Sequence, residues 1–139
     1  MKITSLVSSG VLTFNDFGQY IKGVSPISRS IRLNPGESMY LVETGEVLLS
    51  AQAGDIKRFV DAGKLSANDR ALAVADTATV TVAHGFGFVP NVTVVLDPTG
   101  TPTVAVPGTD VVITHNTDYT ETYVENTTGG PADIDIRVG

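Results

Sequence analysis

The sequence predicts a mainly β protein: a C-terminal antiparallel β-sandwich or small barrel, preceded by a β-hairpin and one short α-helix. Three observations carry that expectation. Val and Thr together supply 36 of the 139 residues, and fourteen of the seventeen threonines lie at or beyond Thr77, where branched side chains favour a pleated surface. Short stretches of that region alternate polar and apolar residues with period two. Clusters of Pro, Gly and Asp separate those stretches, as turns between strands require.

Taken in order, residues 1–26 show no clear period but contain Phe14, Phe17 and Tyr20. A stretch without a period has no obvious way to hide three aromatic rings in its own sheet. It is therefore expected to be an arm whose rings contact a partner subunit, because aromatic anchors concentrate binding energy at interfaces. Ile27–Leu33 and Met39–Val42 flank Asn34-Pro35-Gly36-Glu37, where Pro at the second and Gly at the third position suit a type II turn and so a hairpin. Ile56, Phe59 and Val60 then recur at helical spacing, with Asp55 as a candidate N-cap and Gly63 followed by Leu65 as a left-handed C-cap.

Residues 64–76 form the joint between a first part, 1–70, and a Val/Thr-rich part, 71–139, the two making one compact unit; Leu65, Leu72 and Val74 give the joint apolar side chains to bury. Beyond it, Thr77–Val82 and Ala132–Val138 alternate as half-buried strands, and Tyr119–Glu125 alternates aromatic and acid against Thr and Val. Asn91–Leu96 and Asp110–Thr114 are mostly apolar on both faces, as strands covered on two sides are. Turns are expected at Asp97-Pro98-Thr99-Gly100, Pro107-Gly108-Thr109-Asp110 and Gly129-Gly130-Pro131.

Composition narrows the function classes. A chain of this length buries roughly 68% of its unfolded surface, and 42% hydrophobic with 17% charged residues is a folding composition. Eight of the nine basic residues fall in 1–70 against seven acids, whereas 71–139 holds Arg137 alone against eight acids, a balance of −7. Such a surface repels phosphate, which argues against DNA or RNA as a partner. With no cysteine, neither disulfides nor thiolate metal sites can support the fold. Ser and Thr interrupt the first apolar run before a signal-peptide core forms, and no stretch reaches the ~20 apolar residues of a membrane span. The expectation is a soluble protein made in a cytoplasm, without a membrane partner.

Catalysis needs a placed nucleophile or a tuned acid–base pair. The two histidines, His84 and His115, each end a predicted strand and carry no nucleophile-elbow or metal-ligand spacing. Each is expected to close a turn through a backbone hydrogen bond. Gly85-Phe86-Gly87-Phe88 lacks the third glycine and following helix of a phosphate cradle, so it reads as a sharp turn anchored by two rings. Asp133 and Asp135 share a face with Arg137, the solvated face of a strand. Tyr119 and Tyr123, on one strand face with Glu121 and Glu125, leave a glycan-binding module open, although the absence of Trp weighs against it. No enzyme activity, no cofactor and no metal site is expected.

Val80 to Val95, in which a strand ends in His, a Gly-rich aromatic turn follows and the next strand opens with Pro90, resembles a β-module of bacteriophage virion proteins. Ser50 to Leu65 resembles a segment that precedes this module in small phage structural proteins. Together these cover about a third of the chain, and the module occurs in capsid decoration proteins, head fibres and tail parts alike. The resemblance implies a decoration (cement) protein on the surface of the phage head, binding the major capsid protein as a homo-oligomer, with a homotrimer the first expectation. A tail, baseplate or head-fibre adaptor that touches the host surface is the alternative. Phe14, Phe17 and Tyr20 are the expected partner contacts.

Overall fold

The computed structural model describes residues 1–21, 27–43 and 46–139, with side chains described except at 15–21 and 27–30. Every named strand pair is antiparallel, and the described strands form three sheets. The largest has six strands: β4 (Ser38–Tyr40), β1 (Lys2–Ser5), β6 (Leu65–Val74), β12 (Ala132–Val138), β8 (Val92–Leu96) and β9 (Thr103–Val104), in that spatial order. A second sheet runs β10 (Val111–His115), β11 (Glu121–Asn126), β7 (Thr79–Ala83), and a third runs β3 (Ile27–Leu33), β2 (Leu12–Ile21), β5 (Glu46–Leu48). One helix, α1 (Ser50–Asp61), contacts β6 and β2. The described residues are mainly β with a single short helix, consistent with a β-sandwich.

Buried side chains from all three sheets and the helix join in one cluster, which includes Ile3, Phe14, Leu33, Ile56, Leu65, Val82, Val111, Val124, Ile134 and Ile136. Period-two alternation generates most of it: on β11, Thr122, Val124 and Asn126 are buried between less buried neighbours, and on β12 Ile134, Ile136 and Val138 turn inward. Both faces of β8 are covered at Val94 and Val95, as its apolar run predicts. The residue 70/71 division lies inside β6, which pairs with β1 on one side and β12 on the other. Leu65 and Val74 are buried there, but Leu72 is 68% exposed.

Several expectations change. The turn at 34–37 forms, with Gly36 at φ +75° and the Glu37 N–H donating to the Asn34 carbonyl at 2.9 Å, but its flanking strands do not make a hairpin. Instead β3 pairs with β2 and β4 pairs with β1, so this turn carries the chain from one sheet to another. The consecutive antiparallel pair in this part is β2 and β3. The helix starts earlier than expected: Leu49 occupies the N-cap without a side-chain bond, and Asp55 lies inside the helix, 3.0 Å from Arg58. At the other end Gly63, at φ +71°, closes a Schellman motif. Its N–H reaches the Val60 carbonyl and the Lys64 N–H reaches Phe59. Tyr119, at φ +57°, precedes β11 in the turn rather than joining it. Among the described residues no helix is long and apolar enough to cross a membrane.

Candidate functional site

The three aromatics expected to contact a partner do not form one exposed set. Phe14 is 2% exposed and meets Phe59 edge-on, with ring centroids 5.1 Å apart. Leu12 and Phe14 occupy alternate positions of β2, so both turn toward the core, and α1 lays Phe59 over the ring. Phe14 is therefore a core residue, a correction to its assignment as a partner contact. The side chains of Phe17 and Tyr20 lie outside the described residues. Of the segment expected to be an arm, residues 1–21 are not detached, because β1 is an interior strand between β4 and β6 and β2 lies between β3 and β5; 22–26 lie outside the described residues.

The histidine-and-aromatic turn is a buried lock. His84 is fully buried where β7 ends, and its N–H and that of Gly85 both donate to the Thr120 carbonyl, at 3.1 and 2.9 Å. Its Nδ1 accepts the Phe86 N–H at 3.1 Å, so the ring proton sits on Nε2 and is donated to Thr122 Oγ1 at 3.0 Å. That leaves the Thr122 hydroxyl proton for His115 Nδ1, 2.9 Å away. Phe86 stacks on the His84 ring at 4.7 Å, and Phe88 stacks on Phe86 at 5.2 Å. The expected turn-closing backbone bond of His84 is present, and Phe86, 3% exposed, is a core ring. A hydroxyl and an imidazole with no exposed surface can exchange hydrogen bonds with one another, but neither faces a solvent-borne substrate.

Burial of the imidazole, then the charge of His115 and of the N-terminal amine, lower the His84 pKa to about 4. The unfolded chain regains the ordinary value near 6.5, so it binds the proton first as pH falls. The stability that the neutral ring contributes is complete above pH ~6.5 and is lost on descending through about pH 4. Over that window the loss amounts to about 3 kcal/mol. Urea unfolding at pH 7 and pH 4 should show it, and a His84→Gln variant, weaker at pH 7, should lose correspondingly less on acidification. Equal losses in both proteins would remove His84 as the cause.

Gly85 adapts this lock to the neighbouring sheet. It holds φ +65°, its carbonyl accepts the Leu48 N–H at 2.9 Å, and an added Cβ would meet Val47 Cα at 3.0 Å and Leu48 N at 3.1 Å. These are backbone atoms that cannot swing aside. Gly87 has a similar φ of +76° but nothing within 4 Å of an added Cβ. Gly87→Ala should cost about 1–2 kcal/mol for the left-handed backbone, and Gly85→Ala clearly more. Parallel denaturant titrations would check the order, and equal costs would mean that β5 yields without penalty.

A different chemistry sits on the outer face of the six-stranded sheet. Asp135, placed by alternation on the solvated face of β12, is in fact 2% exposed. Asn68 Nδ2 donates to it at 2.7 Å, Arg137 Nε at 3.2 Å, and Arg70 Nη2 lies at 3.8 Å. The covering arginines bury it without turning it inward. Asp133 accepts the Ala73 N–H at 2.8 Å beside the irregularity in the β6–β12 register, where Ala73 takes φ +50°. In register, Lys2, Asn68 and Arg137 form one row across β1, β6 and β12, with Arg70 opposite Asp135 two residues along. The result is an open groove of about 410 Å³ lined by Lys2, Thr4, Ser66, Asn68, Arg70 and Arg137 among others.

Its components were partly legible: Asp133, Asp135 and Arg137 stood out in one strand, but Lys2 and Arg70 come from strands whose pairing no local pattern announced. Among the described residues no group of three or more His, Cys, Asp or Glu could hold a metal ion. Comparison with protein-family models, with curated proteins and with solved structures finds no match.

Proposed function

We propose that the chain is a structural protein of a bacteriophage particle, a decoration protein that binds the major capsid protein lattice and strengthens the head. The observation that carries the reading is the pair of exposed valines at the β9 end of the six-stranded sheet. Among the described residues β9 is two residues long and pairs only with β8, and it presents Val104 at 64% and Val106, just beyond it, at 56% exposure. So short an edge offers little backbone to pair, but the bare valines beside it are apolar surface that contact with another protein would cover. The Val80–Val95 resemblance supports a virion as the place where that coverage occurs. His84, Phe86 and Gly85 supply a stiff link between sheets, which suits a part whose work is to fit rather than to react. Binding the assembled lattice and not its dissociated subunits stabilises the lattice by linkage.

The experiment is to add the purified, labelled chain to bare heads and to complete particles, image the label, and then heat the heads. Label on the head surface with a raised disruption temperature is the expected result. Label on the tail or baseplate would replace this reading with the adaptor alternative, and no label on either would end the virion assignment.

A further inference from the structure

We propose that the cationic groove of the six-stranded sheet receives the Glu121–Tyr123–Glu125 row of a second copy of this chain. The groove is positive within a negative protein. Lys2, Arg70 and Arg137 surround the single buried carboxylate of Asp135, a local balance of +2 in a chain whose formal charge is −6. Asp135 also pre-orients the site. It takes the Nε–H of Arg137, while that side chain stays 57% exposed and keeps both terminal amino groups for another acceptor. Arg70, 45% exposed, touches the same carboxylate at the limit of ion pairing, 3.8 Å. Register puts Lys2 and Arg137 two strands apart, roughly 10 Å, with Arg70 displaced by two residues along β6. A triangle of cations with unused donors fits carboxylates, which guanidinium groups bind in a planar fork.

The complementary surface is on the same molecule. Alternation on β11 turns Glu121, Tyr123 and Glu125 away from the core that takes Thr122, Val124 and Asn126. The neighbouring positions are Thr79 and Thr81 on β7 and Val112 and Thr114 on β10, all exposed and uncharged. No Lys or Arg occurs on these three strands. The Tyr123 hydroxyl donates to Glu121 Oε2 at 2.7 Å and steadies that carboxylate. The row spans roughly 14 Å from Glu121 to Glu125 at the rise of an extended strand, within reach of cations on long side chains about 10 Å apart. With Glu121 held by Tyr123 and Arg137 held by Asp135, these two groups lose less side-chain freedom on contact than free ones would.

Because the two surfaces differ, the contact is head-to-tail, and copies joined this way close into a ring or continue as a fibre. The inference does not rest on the virion reading; it names the copy-to-copy contact for any homo-oligomer this chain makes.

The test is sedimentation of the full chain at low and high salt with two charge-reversed variants. Lys2→Glu/Arg70→Glu reverses the groove while leaving Asn68 and Arg137 on Asp135, and Glu121→Lys/Glu125→Lys reverses the row. Wild-type protein should associate at low salt and dissociate by roughly tenfold or more in Kd at 0.5 M NaCl. Each variant alone should be monomeric, and an equimolar mixture should associate again, since each supplies the surface the other has lost. If a reversed variant fails to fold by circular dichroism, the neutral pair Glu121→Gln/Glu125→Gln should give the same loss of self-association. Wild-type that stays monomeric to roughly 100 μM, variants that associate as wild-type does, or folded variants whose mixture stays monomeric would each overturn the proposal.

Discussion

Removing residues 1–22 should leave a chain with no cooperative unfolding transition. The deletion takes out β1, whose Ile3 and Ser5 are almost wholly buried and whose backbone pairs with β4 on one side and β6 on the other. It also takes Leu12 and Phe14 from the core and leaves β3 and β5 without the strand between them. An interior strand cannot be lost as an anchoring arm can, since its absence leaves two rows of backbone donors and acceptors without their ladder partners and uncovers the core beneath Ile3. Far-UV circular dichroism during heating, with limited proteolysis, would check this. A truncated chain with the full-length melting profile would show that the sheet closes without β1.

The single substitution expected to do most harm is Phe14→Ala. The ring is 2% exposed and packs edge-on with Phe59, so its loss removes transfer energy and leaves a cavity under α1. Such losses run to about 3–5 kcal/mol, against a total stability of roughly 5–15 kcal/mol. Phe14→Leu, which refills much of the space, should cost about 1.5 kcal/mol or less. Urea titrations of the three proteins would give the order directly. A cost under about 1 kcal/mol for the alanine variant would mean that the ring makes no packed contact, and the partner-contact assignment would then stand again.

The parts of this fold that were legible in the sequence are those whose signals are local. The Thr77–Val82 and Ala132–Val138 alternations gave β7 and β12 with shifts of a residue or two at most, and Gly63 marked the helix end because only glycine sits easily at φ +71°. His84 stood out as a turn-closing residue for a local reason too, since its bond to Phe86 spans two residues. What failed was long-range. Leu65–Val74, with three Ala and the run Asn68-Asp69-Arg70, has poor strand propensity, yet it is the strand between β1 and β12. Its neighbours impose the extended form, and strand propensity is largely such context.

The same cause hid β1, too short for a period to show, and moved Phe14 from surface to core. The helix start was missed because Leu49 offers no side-chain cap, so Asp55 drew attention for its residue type alone. As for the groove, Arg137 and Asp135 share a strand, but Lys2 is 135 positions from Arg137, and only pairing across β6 brings them together.

The position of β12 in the largest sheet has a kinetic consequence. Its neighbours β6 and β8 both precede it in the chain, and without it β4-β1-β6 and β8-β9 are two separate pieces, each with an open edge. On a ribosome those edges are made before the strand that joins them, and they wait uncovered while it is synthesised. A pairing between residues so far apart in sequence must also offset a large loop-closure entropy before it adds contacts. Refolding is therefore expected in milliseconds to seconds rather than microseconds. During that interval the hazard is a β12 from one chain completing the sheet of another, so high protein concentration in refolding should favour strand-exchanged dimers over the monomeric fold.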